Sequence, residues 1–281
     1  MHFDRPLILG GAGQLGTDLA ELLPNSTALS REQLSVTDAA AVRAAIERHR
    51  PDVVFNCAAY NPVDKAETEP ELAMAVNSDG ALNAAAACRA LGVRFVHYST
   101  NFVFDGALDR PYVESDPVGP LGAYARSKAS GEQRVLDEYA DALVIRTAAL
   151  FGGEGSRAKG GSFPDRIVRA AQAGKALNVV SDQKVNPTHT RHLAAASIEH
   201  VGSGLAGLLH LVAEGCCGWD EFARAALAEC GVDSPVQSVP TQPAPGLARR
   251  PLNGCMRSER VGPLPPWREG VREWARTRKE P

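Results

Sequence analysis

The chain has little that would direct it to nucleic acid, a bilayer or a disulfide scaffold. Its 281 residues carry 30 Lys and Arg against 33 Asp and Glu, a net charge of −3. That is too near neutrality for the footprint of a polyanion or an anionic membrane. No apolar run reaches the roughly 20 residues a membrane helix needs. The start, Met1-His2-Phe3-Asp4-Arg5, leads into no signal-like apolar stretch. The six cysteines (57, 88, 216, 217, 230 and 255) form no Cys-x-x-Cys pair, and adjacent Cys216 and Cys217 make a poor bridge. They are read as six reduced thiols in a cytoplasmic protein. His189 and His192 stand three apart without a Cys or carboxylate at zinc spacing. They are read as a solvated helix start, and no metal site is expected. No internal repeat is present.

What is present is an alternation of strand and helix signals, the pattern of a parallel sheet. Strands are expected at Pro6–Leu9, Ser26–Leu29, Asp52–Asn56, Val93–Tyr98 and Ala142–Arg146. Helices are expected from Gln14 to Leu23, from Asp38 to Arg48 with Thr37 or Asp38 as N-cap, from Glu71 through Ala90, and from Ala123 to Tyr139. After about residue 150 the character changes. Residues 152–161 are glycine-rich and charged, a mobile-loop signature, and Pro235–Pro251 reads as irregular. Trp267–Arg278 reads as a polar helix with tryptophans seven apart. The expectation is an α/β fold, a doubly wound parallel (Rossmann) sheet over residues 1–150. A smaller mixed C-terminal lobe over 151–281 would close on the strands' carboxyl edge, with a soft boundary.

Five local patterns carry chemistry. Gly10-Gly11-Ala12-Gly13-Gln14-Leu15-Gly16 lies between a strand and a helix, the context a dinucleotide-binding turn requires. Its glycines admit a pyrophosphate to a helix N-terminus, where free N–H groups favour anions. Tyr124 and Lys128 share a helix face one turn apart. A cation beside a phenol lowers its pKa from about 10 and makes it a proton donor. Thr100, after the fourth strand, is placed to hydrogen-bond a carbonyl. The small residues Ala58 and Ala59 follow the third strand and leave room for a ligand on the sheet edge, or for a packed helix. After the second strand stand Ser30 and Arg31, where a carboxylate would bind a ribose 2′-hydroxyl and repel a 2′-phosphate. An arginine there favours NADPH, with NADH as the alternative.

These residues, with Arg50-Pro51-Asp52-Val53-Val54, Val63-Asp64-Lys65-Ala66-Glu67, Glu69-Pro70-Glu71, Asn77 and His97-Tyr98-Ser99-Thr100, resemble the dTDP-4-dehydrorhamnose reductase family. So do Gly131-Glu132, Arg146-Thr147, Asp182-Gln183, Pro187-Thr188, Arg250-Pro251 and Trp267. The family consists of extended short-chain dehydrogenases acting on nucleotide sugars. The resemblance implies NADPH-dependent reduction of the C4 ketone of dTDP-4-dehydro-L-rhamnose to dTDP-L-rhamnose. It implies that Tyr124 is the acid, that Lys128 lowers its pKa and holds the nicotinamide ribose, and that Thr100 orients the carbonyl. Gly10, Gly13, Gln14, Leu15 and Gly16 would cradle the pyrophosphate. Ala58, Ala59, Tyr60 and Tyr98 would line the nucleotide cleft. Three departures from the family pattern stand out. Asn101-Phe102 replaces Asp-Tyr and Ala149 replaces a Trp, both at the sugar pocket, and Ser35 replaces an Asp that contacts adenine. The first two leave open a 4-ketoreductase of another dTDP-sugar. A non-catalytic, NADP- or sugar-nucleotide-binding regulatory subunit is the reading of another class. A homodimer is left open.

Overall fold

Leu7, Ile8 and Leu9 point alternately to opposite faces of a strand, and all three are fully buried. A strand apolar on both faces needs a covering layer on each side, and the computed structural model supplies both. It describes residues 3–152, 160–242, 244 and 246–278.

In chain order the strands are β1 (Pro6–Leu9), β2 (Thr27–Leu29), β3 (Val53–Asn56), β4 (Arg94–Thr100), β5 (Leu143–Thr147) and β6 (Leu150–Phe151). They continue as β7 (Leu177–Val180), β8 (Lys184–Val185), β9 (Thr188–His189), β10 (Gly207–His210), β11 (Cys217–Gly218) and β12 (Val236–Val239). The helices are α1 (Gln14–Leu22), α2 (Ala39–His49), α3 (Pro70–Met74), α4 (Gly80–Leu91) and α5 (Ala123–Glu138). After them come α6 (Phe163–Gln172), α7 (Thr190–Gly202), α8 (Trp219–Glu229) and α9 (Trp267–Thr277).

The six-stranded main sheet runs β2-β1-β3-β4-β5-β10, every pair parallel. It is the doubly wound sheet expected. Leu7, Leu9, Val54 and Phe95 pack with Ile46 of α2, Ala84 of α4 and Val135 of α5. Ile8, Phe55, Val96 and Ile145 pack on the other face with Leu15 and Leu19 of α1 and Leu193 of α7. The strand order reverses between β1 and β3, which opens a crevice beyond their carboxyl ends. A third apolar cluster joins β7, α6, α8 and α9 around Phe222, Trp267 and Trp274. The two tryptophans, two turns apart, put both indoles on the buried side of an otherwise polar helix.

The run from Glu71 through Ala90 is helical as expected. Within it a π-turn at Ala75–Asp79 lies between α3 and α4 and turns the buried Asn77 amide inward to bond the backbone of Tyr60. Three other expectations need correction. Pro235–Pro251 is not wholly irregular, because β12 lies parallel to β7. The fourth strand runs on through Ser99 and Thr100. Finally, the six cysteines are not all free. Cys216 is joined to Cys255 with 6.0 Å between their Cα atoms, while Cys57, Cys88, Cys217 and Cys230 are thiols. Successive side chains of an extended chain point oppositely, so Cys217 turns into the third cluster and leaves Cys216 to the bridge. Of the glycine-rich stretch read as mobile, residues 153–159 lie outside the described residues. The turn at Asp38 is as expected: its carboxylate accepts from the Ala41 N–H at 2.9 Å and caps α2.

The π-turn also fixes how closely α5 approaches. A methyl group on Gly131 of α5 would overlap the Asn77 carbonyl oxygen. Alanine in a free helical position gains about 0.5–1 kcal/mol over glycine, but overpacking costs about 1–3 kcal/mol. Gly131→Ala is therefore expected to lower stability, seen as a lower urea midpoint at unchanged m-value.

Candidate active site

The glycine turn is built for close approach. Gly10 has φ +76°, and a Cβ there would lie 2.7 Å from the Ala58 nitrogen. The β1 turn can thus lie against the β3 turn only as glycine. A Cβ on Gly16 would meet the Gly10 carbonyl at 2.6 Å, so this glycine seats α1 on the turn. Gly13 is the N-cap of α1 and brings no side chain to it, and the first helical turn, Gln14 to Thr17, holds no acid. The N–H groups of Gln14, Leu15 and Gly16 face the crevice side of the helix start without intrahelical acceptors, an anion cradle. With its amide turned to accept, Gln14 takes the N–H groups of Gly152 at 2.7 Å and Phe151 at 3.3 Å. It ties the cradle to β6.

At the end of β2 the Ser30 hydroxyl donates to the Glu32 carboxylate at 2.6 Å. That hydrogen bond holds the Glu32 carboxyl below its usual range. Arg31 is exposed. The carboxylate that sequence reasoning missed at β2 thus comes one residue after the arginine. Ser35, also exposed, shares its hydroxyl with Thr37 at 2.8 Å. After β3, Ala58 and Ala59 are half-buried. Tyr60 is buried, donates its hydroxyl to Glu69 at 2.6 Å and packs in one cluster with Tyr124 and Phe102.

The end of β4 meets the start of α5. Gly122 carries no capping side chain, so Glu67 accepts the Ala123 N–H at 2.7 Å and serves the helix start instead. Asn77 donates to the Ser127 hydroxyl at 2.9 Å. These two anchors fix the rotation of α5, and they place Tyr124 and Lys128 toward β4. The Thr100 hydroxyl lies against the Tyr124 phenol and accepts the Phe102 N–H at 3.2 Å. The phenol also reaches the Asn61 amide oxygen at 3.5 Å. Phe102 meets the Tyr124 ring edge-on at 5.7 Å between centroids. Lys128 donates to the Tyr98 carbonyl at 2.6 Å. Tyr98 therefore enters the site through its backbone, while its ring lies in the core against α1 and α7.

The electrostatics differ from the expectation. Burial pushes the Tyr124 phenol up to about 12, with the Thr100 hydrogen bond acting against it. Burial also pulls the Lys128 ammonium down to about 8, with the Glu132 carboxylate one turn on opposing the fall. In this form the ammonium is spent on the Tyr98 carbonyl, so desolvation outweighs any help to the phenol. Glu132 itself is held by Arg146 in a buried pair, at 2.7 Å from Nη2 and 3.0 Å from Nε. Arg146 lies over the Phe104 ring at 5.0 Å.

The three departures fall into two settings. Asn101 is buried and donates to the Gly254 carbonyl at 3.2 Å, so it clips a C-terminal segment to the site. Arg250 joins the same segment to Asp64 at 2.8 Å. Ala149 is half-buried with φ +44°, a conformation that costs a residue with a Cβ roughly 1–2 kcal/mol.

A family model described as the RmlD substrate binding domain matches residues 5–279. The chain belongs to that family. Among RmlD relatives, a dTDP-4-keto-6-deoxy-D-glucose reductase of Streptomyces niveus is 39% identical over 254 residues, covering 88% of this chain and 86% of the relative. A dTDP-4-dehydrorhamnose reductase of Streptomyces griseus is 38% identical, covering 96% and 93%. The dTDP-4-dehydrorhamnose reductase of Bacillus anthracis str. Ames, solved in complex with NADP, superposes with a TM-score of 0.90. It is 30% identical and covers 98% of each chain. Among the described residues no helix is long and apolar enough to cross a membrane.

Lys128 supplies a test of the site's electrostatics. The unfolded chain keeps this proton to the ordinary 10.5 and the folded chain only to about 8, so between those values the unfolded state binds more protons. Stability contributed by Lys128 therefore rises with pH across that window. Lys128→Met is expected to remove this rise, read as the difference between wild-type and variant urea midpoints on either side of pH about 8.

Proposed function

We propose that the chain is an NADPH-dependent reductase of the C4 ketone of dTDP-4-dehydro-L-rhamnose, yielding dTDP-L-rhamnose. The observation that carries this reading is the convergence of Thr100, Tyr124 and Lys128 at the carboxyl end of β4, one strand from the crevice where the strand order reverses. The names of the relatives supply the substrate class, and NADP in the Bacillus anthracis structure supplies the cofactor.

The residues fit the cofactor. Gly10, Gly13 and Gly16 leave a cradle that side chains would fill, and Gln14 and Leu15 present N–H groups there. Arg31 is free to reach a 2′-phosphate, while Glu32 beside Ser30 suits a ribose hydroxyl, so the end of β2 carries a device for each nicotinamide cofactor. Ser35 stands at the adenine end, and Ala58, Ala59 and Tyr60 line the nucleotide cleft. When bound, the reduced nicotinamide supplies the hydride.

The chain's own groups do the rest. The Thr100 hydroxyl donates to the ketone oxygen and fixes its direction. Tyr124 gives its phenolic proton to that oxygen as negative charge builds on it. A phenol near 12 is a poor donor at neutral pH, so the work falls to Lys128. Lys128 would hold the nicotinamide ribose, and its ammonium beside the phenol would stabilise the tyrosinate left behind. Asn101, Phe102 and Ala149 border the sugar side. The reading includes a cytoplasmic location.

The deciding experiment follows NADPH oxidation with dTDP-4-dehydro-L-rhamnose generated in situ, wild type beside Tyr124→Phe. Turnover in wild type that falls by roughly 10²–10⁴ in the variant, with NADPH affinity unchanged, is the expected result. NADPH binding without turnover on this sugar or on other dTDP-4-keto sugars would overturn the enzyme reading in favour of a binding subunit. Turnover only on another 4-keto sugar would move the substrate and keep the acid.

In the same assay, Arg31→Ala is expected to raise KM for NADPH about tenfold, the loss of one charge-assisted phosphate contact. KM for NADH should hardly change.

A further inference from the structure

His189 and His192 are not a solvated helix start. His189 ends β9 and caps α7, is 4% exposed, and has no hydrogen-bond partner for either ring nitrogen among the described residues. A buried imidazole with both nitrogens idle is unusual, because buried polar groups are nearly always paired. One turn on, His192 presents its ring 5.0 Å from that of His189. The carboxylate absent from the local sequence arrives from α9. Glu273 Oε2 lies 2.8 Å from His192 Nε2. One donor atom from each of the three residues falls within 4.8 Å of the others.

We propose that His189, His192 and Glu273 hold a divalent cation of the zinc class, tying the start of α7 to α9. Two imidazoles and a carboxylate are borderline-soft donors that suit zinc, cobalt or nickel. Magnesium and calcium prefer all-oxygen shells. Bonds of about 2.0–2.1 Å put tetrahedral donors about 3.3 Å apart, so the cluster needs only a small contraction about His189 and a slight opening of the His192–Glu273 contact. Arg191, on the same turn of α7, is engaged with Glu21 at 2.9 Å.

The surroundings are shaped for it. Phe151 meets the His189 ring edge-on at 5.4 Å and closes its apolar side. Gly270 of α9 lies over the His189 Cβ, where a methyl group would stand 3.0 Å away. The absent side chain thus lets α9 bring Glu273 within reach. The His192 and Glu273 side chains are 14% and 38% exposed, which gives the ion an entry path and a water in the fourth position. This inference does not rest on the reductase reading, because none of the three residues belongs to the proposed reducing site.

The experiment uses the full chain stripped with chelator and titrated with Co²⁺ alone, followed by its visible d–d absorption, with Zn²⁺ displacement as a second readout. One Co²⁺ per chain in a tetrahedral spectrum, displaced by Zn²⁺, is expected. Glu273→Gln and His192→Asn should each weaken binding at least tenfold while keeping the wild-type far-ultraviolet circular dichroism. Zn²⁺ should raise the melting temperature of wild type and not of Glu273→Gln. No tetrahedral spectrum, or a spectrum that survives both substitutions unchanged, as binding to the free cysteines would, overturns the proposal.

Discussion

Placing an ammonium inside the protein at the end of β4 is the constraint around which the site is arranged. Lys128 gives up water, and a buried cation is tolerated only where oxygen atoms replace that water. The Tyr98 carbonyl does so at 2.6 Å, and Glu132 adds negative charge one turn further along α5. Glu132 in turn must be neutralised, and Arg146 from β5 does this with three close contacts. The line from carbonyl to ammonium to carboxylate to guanidinium therefore locks α5 to β4 and β5 together. Tyr124, one turn before Lys128, inherits its position from that lock. The Glu67 cap and the Asn77 amide set the other end of the helix.

Much of this frame was legible from local pattern. The β1–glycine–α1 unit, the helix bearing Tyr124 and Lys128 and the five early strands all rest on contacts between residues close in the chain, which periodicity reports well. What escaped depends on residues distant in sequence. The π-turn at Asn77 follows from how α5 packs, since nothing in an alanine-rich run marks it. Strand β10 is short and joins β5 across more than sixty residues, so it carries no pattern of its own. The Cys216–Cys255 link and the meeting of His189 with Glu273 both depend on where the C-terminal segment lies. Glu32 stands one residue beyond Arg31, off the position where a ribose-binding carboxylate follows β2, so spacing does not mark it. Helical spacing does not give the direction of the Tyr124 shift either, because it reports a neighbour's presence and not its burial or its other partners.

The departures from the family pattern also read differently once placed. Asn101 keeps a structural task, since its amide holds Gly254 and with it the chain that runs on to Cys255 and Met256. Removing a side chain at 254 is part of that arrangement, because any Cβ there would overlap the Asn101 amide. Ala149 holds a left-handed backbone where the chain leaves β5 for β6, and its carbonyl accepts the Thr188 N–H at 3.3 Å. The chain at this position is therefore held by backbone bonding with a small side chain.

The membership of β10 in the main sheet bears on how the molecule is made. Leu208 and Leu209 pair with β5, and α7 covers the face on which α1 lies. During synthesis from the N-terminus, a chain that has already extruded the glycine turn, Tyr124 and Lys128 still has β5 as an open sheet edge and one apolar face half covered. Both are closed only when residues 190–210 emerge. The proposed reducing site is thus complete in sequence well before the fold that carries it can close, and the nascent chain passes through an interval in which an unpaired parallel edge is open to wrong partners.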